Sequence, residues 1–96
     1  MIKILISAKY LAKKLNDIDF ETEYVTEVAL GSKQNLIIKT TKKILDIPVE
    51  VLEFSAFGLR QENRRWDWVK KLVSQVDEQP IVLQITEGMA EIKFQY

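Results

Sequence analysis

The sequence contains neither cysteine nor histidine. Without cysteine there is no disulfide and no thiolate metal site. Without histidine the commonest general base and the commonest metal ligand are both gone. Metal ligation falls to carboxylates, a donor set that suits magnesium or calcium, and acid–base chemistry falls to tuned Asp, Glu, Lys or Tyr groups. No apolar run approaches the roughly 18 residues that a membrane-spanning helix needs. The first residues show no small-residue cleavage site behind an apolar core, so no secretory signal is expected. A cytoplasmic setting fits the missing cysteines, which are equally compatible with export. Net charge is absent too, with 14 Lys and Arg against 14 Asp and Glu in 96 residues. Together these gaps point away from catalysis and cofactors, towards a binding or assembly role.

What is present reads as one domain over residues 1–96. A hydrophobic content of 47% and a charged content of 29% are those of an ordinary globular chain, and this length buries roughly 60–70% of its unfolded surface. Ile2-Lys3-Ile4-Leu5-Ile6 is a buried-strand pattern. Ser7 follows as an N-cap type, and Ala8, Leu11, Ala12 and Leu15 recur at the spacing of one helical face. Between Thr22 and Leu30 the period changes to two, with Tyr24, Thr26, Val28 and Leu30 on one side. Gly31 to Asn35 is turn chemistry, and Leu36-Ile37-Ile38 completes a hairpin. The stretch from Ile44 to Phe54 alternates throughout, with Pro48 marking an edge or a bulge.

A strand-like run from Phe54 to Leu59 then leads, through a loop with Asn63 as a candidate cap, into a second helix from Trp66 to Val76. Its apolar stripe is Val69, Leu72, Val73 and Val76, ended by Pro80. Ile81, Leu83 and Ile85 alternate on one strand and Ala90, Ile92, Phe94 and Tyr96 on the next, with Glu87-Gly88 as the turn. The predicted fold class is α+β: duplicated β-α-β-β(-β) halves, about 1–53 and 54–96, forming antiparallel sheet with two helices packed on one face. A ferredoxin-like fold is the nearest rival, but its four strands leave Ile44 to Leu59 unused.

This order resembles one domain of the DNA sliding clamps, the processivity fold. The stretches that carry the likeness are Arg64-Arg65-Trp66-Asp67-Trp68-Val69-Lys70-Lys71-Leu72-Val73, Pro80-Ile81-Val82-Leu83-Gln84-Ile85 and Ala90-Glu91-Ile92-Lys93-Phe94. The resemblance implies helices lining a channel and sheets forming an outer wall. Two departures accompany it: the second half stops one strand short, and a ring needs several such domains where this chain supplies one.

The charges are sorted by element. Lys9, Lys13 and Lys14 stand on the first helix with no acid between Ala8 and Leu15, and Arg60, Arg64, Arg65, Lys70 and Lys71 outnumber Glu62 and Asp67 around the second. Asp17, Asp19, Glu21, Glu23 and Glu27 form a stretch with no base. If both helices lie on one side of the fold, that side presents about eight cations to solvent. Such a surface suits the phosphate backbone of duplex DNA, although Lys and Arg on amphipathic helices also serve plain solubility. The candidate nucleic-acid contacts are therefore Lys9, Lys13, Lys14, Arg64, Arg65, Lys70 and Lys71, with weak, salt-sensitive binding expected from a chain of zero net charge.

Trp68, off the Val69/Val73 stripe and flanked by Arg64 and Lys71, is a candidate stacking or partner contact. It equally suits covering the core edge or a cation–π pair with Arg64. Tyr10 reads the same way, with helix-edge packing as its plain role. The acidic stretch lacks the glycine and terminal glutamate of a calcium loop and reads as a solvated loop, with no metal expected. No nucleophile motif or phosphate-cradling loop is present, so no enzyme is expected. The leading expectation is a clamp-like, non-enzymatic module that acts as a homo-oligomer on DNA or as a scaffold for replication or repair partners. The rival is a small protein-interaction module or inhibitor using a sheet edge or the acidic surface, without DNA binding.

Overall fold

The computed structural model describes residues 1–55, 58–60, 66–76, 78–86 and 89–94, with backbone alone for 58–60. The chain order is β1 (Ile2–Ser7), α1 (Ala8–Leu15), β2 (Val25–Leu30), β3 (Asn35–Thr40), β4 (Ile44–Pro48), β5 (Glu50–Phe54), β6 (Gly58–Arg60), α2 (Asp67–Ser74), β7 (Pro80–Thr86) and β8 (Met89–Phe94). Among the described residues the class is α+β, with two helices and antiparallel strand pairs.

The strands divide into two four-stranded sheets. The first has the order β5-β1-β7-β8 and the second β4-β3-β2-β6. The order β-α-β-β occurs twice, as β1-α1-β2-β3 and β6-α2-β7-β8, and each pass crosses from one sheet to the other. Each opening strand pairs with the first strand after the other helix, β1 with β7 and β6 with β2. The two halves are thereby laced together rather than set side by side, and α1 packs on α2.

The alternating run from Ile44 to Phe54 is where the sheets part. It is one continuous pattern in sequence, yet β4 ends at Pro48 on the edge of the second sheet and β5 starts at Glu50 on the edge of the first. Pro48 has no N–H to give a ladder, so its place at the end of an edge strand costs nothing. The next run divides as well: Phe54 closes β5 and β6 begins at Gly58, while Ala56 and Phe57 lie outside the described residues, as do Asn63, Glu87-Gly88 and Tyr96. The second helix is Asp67–Ser74, shorter than Trp66 to Val76, with Trp66 at its N-cap position.

One core serves both layers. Ile2, Ile4 and Ile6 of β1, Val28 of β2, Leu36 and Ile38 of β3, and Ile81, Leu83 and Ile85 of β7 are buried with Leu11, Leu15, Val69 and Val73 of the helices. Trp66 fills the same core. The expected inward face of β2 is corrected by a bulge. The register against β3 shifts between Val25 and Glu27, so Val25 and Val28 both point inward while Tyr24 is left exposed. An extra residue in one strand reverses the alternation beyond it.

The start of α1 follows its sequence signal closely. Ser7 adopts an extended conformation, and its Oγ accepts from the Tyr10 N–H at 3.4 Å. The Ala8 N–H is satisfied by the Gln79 carbonyl at 3.0 Å, which ties the helix entrance to the strand after α2. Ser7→Ala is expected to destabilise the fold by about 1 kcal/mol, read as a shift in urea midpoint with unchanged slope.

Candidate functional site: the helix face and the clasp beneath it

Burying Ala8, Leu11 and Leu15 turns Lys9 and Lys13 of α1 outward, and burying Val69 and Val73 turns Trp68, Lys71 and Ser74 of α2 outward. Between the helices runs an open groove of about 760 Å3 bordered by Lys9, Tyr10, Lys13 and Asn16 on one side and Ser74 and Glu78 on the other. Lys9 Nζ lies 3.4 Å from Glu78 Oε1, both side chains well exposed. A pair so hydrated holds neither partner firmly, so Lys9 remains open to an anionic ligand. Lys14 is half-buried, its Nζ 5.5 Å from the centre of the Tyr10 ring. That cation–π contact accounts for Tyr10 as a helix-edge packing residue that steadies the last turn. Trp68 is exposed, and Arg64 and Arg65 lie outside the described residues.

Lys70 departs from the rest of the basic set. It is half-buried, donates from Nζ to the Ile18 carbonyl at 3.0 Å, and sits 5.8 Å from the centre of the Phe20 ring. Its charge therefore holds the α1–β2 connector. The reason is positional: Lys70 follows Val69 on α2, at the border of the buried stripe rather than opposite it. Lys70→Met is expected to cost about 1 kcal/mol of stability for the lost carbonyl bond while leaving any DNA binding by the helix face unchanged. Parallel denaturation and anisotropy titrations of the one variant check both halves.

The acidic stretch holds the residue that sequence reading missed. Glu23 is buried and lies within the fold rather than in a solvated loop. Its Oε1 accepts the Asp19 N–H at 2.9 Å and faces Lys43 Nζ at 3.1 Å, while the Thr40 hydroxyl donates to Oε2 at 2.5 Å. Burial alone would raise the carboxyl's pKa. The Thr40 hydroxyl, the Asp19 N–H and the Lys43 ammonium outweigh it and hold Glu23 down at about 2. Lys43 Nζ also donates to the Asp17 carbonyl. Glu23, Lys43 and Lys70 thus bolt the connector down at both sides, against the β3–β4 turn and against α2. Asp17, Asp19 and Glu21 stay at the surface, and among the described residues no three acids converge on a point that would hold a metal ion. No helix among the described residues is long and apolar enough to cross a membrane.

No protein-family model, no curated protein and no solved structure matches this chain.

Proposed function

We propose that this chain is a non-enzymatic, sliding-clamp-like module of the cytoplasm. Its helix face rests weakly and salt-sensitively on duplex DNA once copies have assembled, and the assembly serves as a scaffold for replication or repair partners. The observation that carries this reading is the packing of α1 on α2 around a groove that presents Lys9 and Lys13, with Lys71 exposed on α2. The surface acids Asp17, Asp19 and Glu21 sit on the connector beyond α1. The double β-α-β-β passage that laces two sheets supports the likeness to clamp domains. A single chain of zero net charge binds phosphate poorly. Several copies arranged with their helices inward would sum the same contacts.

The test is fluorescence anisotropy of a random-sequence duplex at about 50 mM salt, with protein concentrations that span self-association. Absence of binding across that range overturns the DNA half of the reading. A second reading, a protein-interaction module working through a sheet edge, is favoured by β8, which among the described residues is an outer strand of the first sheet and carries an exposed Met89. A stable monomer that ignores DNA but captures an extended peptide supports it.

A further inference from the structure

We infer that β8 pairs with β8 of a second copy across a two-fold axis through Ile92, so that the first sheets of two molecules join into one. This names a surface for the self-assembly that the proposed function calls on. The use of the pair in DNA binding rests on that reading, while the contact itself can be tested without nucleic acid.

Three observations converge on it. The first is an apolar row that stops short. On the inner face Ile81, Leu83 and Ile85 of β7 are buried, and they stand opposite Phe94, Ile92 and Ala90 of β8, which are only half-buried. At β4, an edge of the second sheet, Leu45 and Ile47 are already buried and Pro48 closes the strand. β8 has no proline and no such closure. The second is the backbone. Among the described residues β8 pairs with β7 alone, so one line of its N–H and C=O groups faces outward, where another strand can take it up.

The third is charge, which selects both the partner and the register. On its outer face β8 presents Glu91 and Lys93, both exposed. Opposite them on β7 stand Gln84 and Val82, neither charged, and among the described residues neither Glu91 nor Lys93 has an ion-pair partner. An antiparallel two-fold pair sets apolar face beside apolar face only when its centre falls on a residue, because side chains alternate with a period of two. A centre on Glu91 sets that acid against its own copy, and a centre on Lys93 does the same with the base. A centre on Ile92 sets Glu91 of each chain opposite Lys93 of the other, Ala90 opposite Phe94, and Ile92 opposite Ile92. Both charges then have a partner, and the apolar row runs on through the axis. A parallel two-fold pair would turn the apolar face of one copy towards the charged face of the other. Against β5, whose exposed charges are Glu50 and Glu53, one attraction would come with one repulsion. Because both copies use the same surface, the contact closes at two chains. Strands this short cover less than the roughly 1,200 Å2 of a stable interface, so the association is concentration-dependent.

Sedimentation equilibrium at low salt, from about 5 µM to about 1 mM, tests this. The expected wild-type mass rises with concentration to that of two chains and stops there. Glu91→Lys and Lys93→Glu each turn two attractive cross-strand pairs into two repulsive ones, and each is expected to raise the dissociation constant about tenfold or more. Mixed together, the two variants are expected to pair about as well as wild type, because every Lys of one chain then faces a Glu of the other. The chain carrying both exchanges, Glu91→Lys/Lys93→Glu, is expected to pair with itself again. Both positions are exposed, so these variants keep the fold, and each is confirmed by its urea midpoint. A wild type that stays a single chain to about 1 mM, a mass that climbs beyond two chains, or a mixture no better than its components overturns the contact. A single chain that takes up an extended peptide on β8 overturns the second copy as the occupant. DNA binding by a chain that never pairs would sink this contact alone. Pairing through β8 without DNA binding would sink the nucleic-acid reading alone.

Discussion

Replacing Glu23 by glutamine is expected to destabilise the fold by about 3 kcal/mol at neutral pH, the scale for breaking a buried, hydrogen-bonded ion pair by removing one partner. For a domain of this size that is a drop of roughly 10–20 °C in melting temperature. The amide keeps the shape and one acceptor oxygen. It cannot accept from the Asp19 N–H and the Thr40 hydroxyl while also facing Lys43, and its NH2 turns a donor towards groups that already donate. Thr40→Val and Lys43→Met each take one donor from the carboxylate, along with the turn N–H bonds of Lys42 and Lys43 in the first case and the Asp17 carbonyl contact in the second, and are expected to cost less, about 1–2 kcal/mol.

The same group sets a pH signature. Glu23 titrates at about 2 in the folded protein against an ordinary 4.5. Because the folded value is the lower one, its contribution is fully present above 4.5 and is lost as pH falls from 4.5 through about 2. Urea midpoints of wild type and Glu23→Gln should therefore differ most at pH 7 and converge below pH 4.5. A gap that persists unchanged at pH 2 would mean the carboxylate is not what the clasp depends on.

How far the sequence could be read is plain from this clasp. The apolar stripes at helical spacing, Leu11 with Leu15 and Val69 with Val73, and the alternation through β3, β7 and β8 placed both helices and most strands, because burial of one face is a local pattern. Glu23 was illegible as a core residue because its partners Thr40 and Lys43 lie a hairpin away. The signal was present only in combination: with Val25 opposite Thr40, the residues just before β2 must fall beside the polar turn Thr40-Thr41-Lys42-Lys43, so an acid there meets a base. The bulge at Val25–Glu27 hid that register by reversing the alternation. The division of Ile44 to Phe54 between two sheets was hidden for a different reason, since an unbroken period of two does not say which sheet a strand joins. Lys70 shows the limit for sites: spacing puts it near Lys71, while its distance from the buried stripe decides that it serves the connector instead of the surface.

Reversing three exposed lysines, Lys9→Glu, Lys13→Glu and Lys71→Glu, is expected to abolish duplex binding by the assembled protein, a loss of at least about 100-fold. If these three make phosphate contacts, each releases a counterion, and the wild-type affinity per chain falls about 40-fold between about 50 and 200 mM salt. The triple variant should have neither the affinity nor the slope. Lys70→Met should keep both, since its ammonium is spent on the Ile18 carbonyl, and this contrast between neighbours on one helix separates a specific face from a general loss of positive charge. All three reversed positions are solvent-exposed, so stability should change by no more than about 0.5 kcal/mol at each. Binding by the triple variant equal to wild type would remove the helix face from the interaction. Binding that ignores salt would remove phosphate as its target, because attraction to a polyanion through exposed lysines cannot be independent of the ions that compete for it.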